Sequence, residues 1–292
     1  MKLIKPSFEI WEQPTGLEGV YKQIERVGRV CYKSEDKITE DSAKPFVDRM
    51  IKSGHGAMLE HGTVYLQFFW AGAVCQQCNQ TAPNKLLDRY AGNKYSIVHY
   101  HGNDVYVTTN LRVLVENNWL DDLKYICEPT EYHERRVTVH FVCDRGVSHE
   151  FVRHRVMSFA QESTRYCNYS KDKFNNQVTF IIPNWCNSLI EGSEQKYSPF
   201  EINGDEVEFM DALQNAQNSY LSLLKLGWKP QEARAVLPNS LKTELVVTGF
   251  TSDWNHFFDL RARGTTGAPH PQAKELAEPL MKEFITRKYI NN

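Results

Sequence analysis

The chain has 292 residues, 41% hydrophobic and 24% charged, with a formal net charge of −2. That length supports a well-buried core in one large domain or two modest ones, and the near-neutral balance excludes a general nucleic-acid or membrane-surface binder, so any anion site has to be local. No run approaches the length of a membrane span, the first residues lack an apolar signal stretch, and seven scattered cysteines read as reduced thiols in a cytoplasmic compartment rather than a disulfide framework.

In chain order, Leu17, Val20, Ile24, Val27 and Cys31 recur at spacings of three and four and predict an amphipathic helix. A second helix is expected from about Ser42 through Phe46, Val47, Met50 and Ile51, with Gly54 as its stop. Thr63 to Trp70 (TVYLQFFW) reads as a strand, as does Val137 to Cys143 (VTVHFVC) with its alternating pattern. The segment of about 72–136 reads as an insertion or subdomain with a helix at Thr109 to Asn117. After Cys143 the chain is expected to turn into a helix carrying Glu150 to Arg153, with Ser148 as N-cap. Val178 to Pro183 is a further short strand, and Asn184 to Asp205 is loop-like.

Val207, Met210, Leu213, Leu221 and Leu224 mark a long helix that stops near Gly227. Pro230 opens a short helix over Gln231 to Leu237, and Pro238 closes it. Leu245 to Phe250 is a strand or a buried helical segment, which periodicity cannot decide. Arg261 to Gln272 reads as a loop broken by Gly and Pro, and a last helix, about Gln272 to Lys288, is kinked or starts late because of Pro279.

Neither Gly-x-Gly-x-x-Gly nor a Gly-Lys-Ser/Thr phosphate loop is present, so a nucleotide here is held without a Rossmann or Walker device. His149-Glu150-Phe151-Val152-Arg153 falls short of a zinc-protease helix, because Arg153 replaces the second histidine and His154 comes one residue late. Cys75 and Cys78 are a lone pair without a second one, and no metal is expected.

The densest chemistry lies in Arg153-His154-Arg155-Val156-Met157-Ser158-Phe159-Ala160-Gln161-Glu162-Ser163-Thr164-Arg165-Tyr166. Three arginines with few acidic neighbours suit a multiply charged anion, because guanidinium forks match phosphates. A solvated basic face is the plainer reading of such a run, but Val156, Met157, Phe159 and Ala160 weaken it. Gly54 to His61 places His55, Glu60 and His61 between a helix and a strand, as a ligand-contacting turn or a plain connection. Arg234 sits at an apolar position of its short helix and needs an anionic partner, structural or ligand. Asp259-Leu260-Arg261-Ala262-Arg263 adjoins the Gly/Pro loop carrying His270, as a surface charge cluster or as a ligand arginine beside a covering loop.

These segments, in this order, resemble the flavin-dependent thymidylate synthases. The Gly54-His55 to Glu60-His61 turn, Arg-His-Arg-x7-Ser over Arg153 to Ser163 with Arg165-Tyr166, the Glu232 to Pro238 helix, and Leu260-Arg261-Ala262 with His270 all match. The resemblance implies a single α+β domain over 1–292, with helices around a small antiparallel sheet and no Rossmann unit, assembled as a homotetramer with shared active sites. It implies methylation of carbon 5 of dUMP to dTMP, with methylenetetrahydrofolate as carbon donor and FAD reduced by NADPH as hydride source. His55, Glu60, Arg153, His154, Arg155, Val156, Gln161, His256 and His270 would face FAD. Glu150, Arg153, Gln161, Glu162, Ser163, Thr164, Arg165, Arg234 and Arg261 would bind dUMP, Arg234 from a neighbouring subunit. Arg261 would polarise the uracil ring, and Cys167 has no catalytic role.

The chain departs from the family pattern at Ala57, Glu150, Ala160-Gln161, Phe250, Ser252 and His256. A carboxylate at Glu150 near dUMP is unfavourable unless protonated or paired with Arg153. These departures leave open a related enzyme acting on another pyrimidine. A phosphate- or nucleic-acid-binding module is the reading from a different class.

Overall fold

The computed structural model describes residues 1–69, 85–186, 188–189 and 204–291. Among the described residues nine strands form three sheets: β1 (Lys2–Ile4), β2 (Ser7–Trp11), β3 (Thr63–Phe69), β4 (Ile97–His101), β5 (Asp104–Asn110), β6 (Arg136–Asp144), β7 (Ser158–Gln161), β8 (Thr179–Ile181) and β9 (Lys242–Phe250). The main sheet is antiparallel in the order β2-β6-β9-β7, a second antiparallel sheet runs β3-β5-β4, and β1 pairs with β8 in parallel. The architecture is mixed α+β, with no Rossmann unit among the described residues.

β6 and β9 pair along their whole lengths, from Arg136 opposite Phe250 to Asp144 opposite Lys242. One face of the sheet sends Val137, Val139, Phe141, Leu245 and Val247 into a core with Trp254, Phe257, Phe258, Leu280 and Phe284. Those aromatics come from helices Thr251–Phe258 and Pro271–Thr286. The other face sets Val246 and Ala160 against Val27 and Val30 of helix Gly16–Tyr32. With both faces covered, the centre of β9, Leu245-Val246-Val247, is apolar at successive positions, which is why its periodicity is mute.

Helix Gly16–Tyr32 also touches the second sheet. Its Val20 and Ile24 join Phe46, Val47, Val64, Leu66, Val105 and Val107 in a separate core. The 72–136 segment supplies β5, the central strand of that sheet, and β4 at its edge.

Several boundaries differ from the sequence expectation. The helix after β6 spans Arg145–Phe151, and its N-cap is Asp144, whose Oδ1 accepts the Val147 amide at 2.8 Å. Ser148 therefore lies inside that helix and Arg153 beyond its end. Aspartate caps as well as serine, and the helix starts as soon as the strand ends. The helix expected over 109–117 is Leu111–Glu116, because Thr109 and Asn110 stay in β5 and Asn110 caps it. Arg261 sits in a π-helical turn, Asp259–Arg263, that extends Thr251–Phe258, rather than at the head of a loop. Pro279 is accommodated within Pro271–Thr286. Asp205 belongs to helix Gly204–Lys225; Trp70, Cys75, Cys78 and most of the 184–205 loop lie outside the described residues.

Candidate active site

The π-helical turn after Thr251–Phe258 aims Arg261 back at the end of helix Arg145–Phe151. Its Nη1 donates to Glu150 Oε2 at 2.5 Å, its Nη2 to the Glu150 carbonyl at 2.8 Å, and its Nε to His154 Nε2 at 3.0 Å. Of the five N–H groups of a guanidinium, two remain for a ligand. Glu150 thus pairs chiefly with Arg261; Arg153 Nη1 stands 3.9 Å from its other oxygen and is largely solvent-exposed.

His154 is buried, and burial first, then the charges of Arg261 and His256, push its pKa down to about 4. The neutral ring accepts from Arg261 through Nε2, so Nδ1 carries the proton. His256 lies 5.9 Å from His154 between ring centroids. A cavity of about 570 Å³ opens beside this group, lined by Glu150 and Arg153 on one side and by Trp185, His270 and Gln272 on another. The sequence-predicted residues Glu150, Arg153, His154, His256, Arg261 and His270 therefore come together.

The other half of the motif sits at the opposite end of β7. The Ser163 amide donates to the Cys31 carbonyl at 3.0 Å, which ties the loop to the end of helix Gly16–Tyr32. Arg234 Nη1 donates to Thr164 Oγ1 at 3.0 Å within the same chain, and Arg165 Nε to Gln231 Oε1 at 3.2 Å. Gln161 turns its amide onto Ser148 Oγ at 2.8 Å and Thr243 Oγ1 at 3.2 Å. Glu162 is buried, with Tyr169 OH at 3.1 Å and Lys242 Nζ at 2.8 Å. Lys242 and Glu244 escape sequence reasoning because they precede the apolar Leu245 to Phe250 stretch and carry no motif of their own.

His55 precedes the one-turn helix Gly56–Leu59 and is exposed. It borders a groove of about 540 Å³ that also holds Tyr32, Lys37, Arg49 and Lys173. Glu60 forms an ion pair with Arg112, on helix Leu111–Glu116. His61 is fully buried, 2.8 Å from Thr248 Oγ1, and burial followed by the Arg136 charge lowers its pKa to about 3. Phe250 lies beneath the Arg136 guanidinium, 5.4 Å from it. Ser252 is exposed, its amide donating to Glu134 Oε1 at 3.1 Å.

The family model described as thymidylate synthase complementing protein matches residues 129–287, more than half of the chain, including Arg153 to Tyr166, Glu232 to Pro238 and Leu260 to His270 but not the Gly54 to His61 turn. The chain belongs to the flavin-dependent thymidylate synthase family. It is 32% identical over 117 residues to the flavin-dependent thymidylate synthase of Geobacter sulfurreducens, covering 40% of this chain and 43% of that protein. The Pyrococcus abyssi enzyme is 30% identical over 148 residues, 51% of this chain and 53% of that one. The Corynebacterium diphtheriae enzyme is 28% identical over 186 residues, 60% and 70%. The chain thus spans about half the length of the first of these relatives. A solved structure of the UMP/dUMP methylase PolB from Streptomyces cacaoi, bound with 5-Br dUMP, overlays loosely, with a TM-score of 0.43 and 17% identity over 98% of this chain and 93% of that one.

Arg153 to Val156 precede β7, Glu162 to Arg165 follow it, and no hydrogen bond joins the Arg261 group to the Ser163 loop among the described residues. Among the described residues, no helix is long and apolar enough to cross a membrane.

Proposed function

We propose that this chain methylates carbon 5 of dUMP to give dTMP, taking the carbon from methylenetetrahydrofolate, with FAD as cofactor and NADPH as reductant. The observation that carries the reading is the Arg261 group: a guanidinium locked by Glu150 and His154, with two N–H groups left, and held by a glutamate that itself lines a cavity. A fixed cation stabilises negative charge as it develops on the uracil ring, which is what a nucleophilic carbon 5 requires. Preorganisation by Glu150 and the neutral His154 means the guanidinium does not have to reorient during the reaction.

The cation set suits a dinucleotide. Arg155 is exposed and has no hydrogen bond or ion pair among the described residues. Lys37, Arg49 and Lys173, which line the groove beside His55, have no carboxylate partner among the described residues. Cations left without counter-charge fit phosphates. We assign FAD to His55, Glu60, Arg153, His154, Arg155, Val156, Gln161, His256 and His270; Glu60 reaches it only by sharing Arg112. Bound FAD, once reduced, supplies the hydride that completes the methyl group.

Ser163, Thr164, Arg165 and Arg234 would hold the nucleotide phosphate, with Glu150, Arg153 and Gln161 contributing to the dUMP site and Glu162, its carboxylate directed into the protein, serving that site only through the loop it anchors. We assign the assembly as a homotetramer in which each complete site draws residues from two subunits. A cytoplasmic location accords with the five described cysteines, all free.

A second reading keeps the chemistry and changes the pyrimidine. It is favoured by the Glu150 carboxylate on the cavity wall, an acceptor that suits an exocyclic amino donor, which uracil lacks. Turnover with methylenetetrahydrofolate, FAD and NADPH, offered dUMP and other pyrimidine nucleotides and read by product mass, separates the two. No methylated product from any of them would reject both.

A further inference from the structure

Behind the Ser163–Arg165 loop, charged side chains alternate in sign through the protein. Glu162 meets Lys242 at 2.8 Å, Lys242 also pairs with Glu244, Glu244 meets Lys33 at 2.9 Å, and Lys33 meets Glu35 at 2.6 Å. His140 Nε2 lies 2.9 Å from the second Glu244 oxygen, and Tyr169 donates to the second Glu162 oxygen at 3.1 Å. The side chains of Glu162, Glu244, Lys242 and Lys33 are only 1%, 12%, 15% and 19% exposed.

Burial opposes ionisation of Glu244, but the His140 hydrogen bond and the Lys242 and Lys33 charges outweigh it and hold the carboxyl well below the usual range. For Lys242, too, burial acts against the charge, and Glu162 and Glu244 more than offset it. Glu244 is therefore held as a carboxylate and Lys242 as an ammonium at neutral pH.

The network joins the same elements that the loop backbone joins. The Glu162 amide donates to the Glu244 carbonyl at 2.8 Å, and the next amide, Ser163, to the Cys31 carbonyl. Lys242 and Glu244 project from one face of β9, two residues apart. Lys33 is the left-handed C-cap of helix Gly16–Tyr32, just past Cys31. Backbone and side chains thus clamp one short stretch between a strand and a helix end. Stability alone does not call for these charges, because a packed apolar cluster of equal volume does as well or better. Ion pairs add direction, which apolar contacts lack.

We propose that Lys242, backed by Glu244 and Lys33, is a positioning residue: it fixes Glu162 and so sets the direction in which Ser163 and Thr164 face a nucleotide phosphate. This rests on the dUMP reading above. Without the Lys242 charge, two buried carboxylates face each other, and the loop turns to carry Glu162 towards water. Ser163 moves with it. The Arg153–Val156 end, across β7, stays in place.

The test measures dUMP affinity by titration calorimetry, FAD content by absorbance, and Tm, for the wild-type protein and three variants. Lys242→Met is expected to weaken dUMP at least tenfold with FAD content unchanged, and Lys242→Arg to stay within about threefold of wild type. The double variant Glu162→Leu/Lys242→Met removes the charge conflict. It is expected to recover Tm yet still bind dUMP weakly, and it carries the test if Lys242→Met does not fold. Wild-type affinity in the double variant, or in a folded Lys242→Met, would overturn the positioning role alone. A wild-type protein that binds no dUMP would overturn the parent reading and this one with it.

Discussion

Arg261 and Glu150 are joined twice, once through the carboxylate at 2.5 Å and once through the main-chain carbonyl at 2.8 Å. One residue therefore fixes both the charge balance and the plane of the guanidinium. The position that departs from the family pattern is the one that holds the proposed catalytic arginine.

Replacing Arg261 by alanine is expected to lower kcat by about 10²–10³-fold, the scale for removing one preorganised donor from developing charge. Nucleotide binding should survive, because Ser163, Thr164, Arg165 and Arg234 lie elsewhere. Steady-state kinetics with a separate dUMP titration check this. Arg261→Lys is not expected to rescue, since a point charge cannot serve two acceptors and a histidine at fixed angles.

Glu150→Gln keeps an acceptor oxygen for Arg261, whereas Glu150→Ala leaves only the carbonyl contact. The alanine variant should therefore lose more kcat than the glutamine variant. Equal rates in both, at the wild-type level, would show that the carboxylate does not set the arginine.

Acid sensitivity follows from two buried histidines. His154 and His61 have folded pKa values lowered to about 4 and about 3, from about 6.5 when unfolded. The neutral form is the native one, so their contribution is complete above pH 6.5. As pH falls, the unfolded chain takes up the protons first, and stability drops until the native state also protonates near pH 4 and 3. The loss is on the order of a few kcal/mol for each histidine. Tm against pH should slope downward over this window, and His61→Gln should flatten its lower part.

Asp144→Ala removes a helix cap and also the 2.8 Å bond from Gln272. A cost of about 1–2 kcal/mol is expected by urea denaturation, near the upper range for a lost cap. Ser148→Ala should cost less, because Ser148 is interior to the helix and bonds only the Arg145 carbonyl and Gln161. The reverse order would restore Ser148 as the helix start.

Sequence alone carries much of this molecule, and the failures have physical causes. β6 was legible because Val137, Val139, Phe141 and Cys143 alternate against one core. β9 was not, because helices cover both its faces and leave no alternation to read. The Arg261, His154 and Glu150 segments were legible as a resemblance, but their mutual contacts were not, since 111 residues separate Arg261 from Glu150. Glu162 reads as a nucleotide contact beside Ser163, yet its carboxylate is directed into the protein. Its partners Lys242 and Glu244 come from a strand 80 residues away, and local pattern does not register such pairings.

The central claim is tested most directly by incubating the purified protein with dUMP, methylenetetrahydrofolate, FAD and NADPH and following nucleotide mass. The account predicts conversion of dUMP to dTMP that depends on FAD and collapses in Arg261→Ala. A protein that binds FAD and dUMP yet forms no methylated nucleotide, or whose Arg261→Ala variant turns over at the wild-type rate, would contradict it.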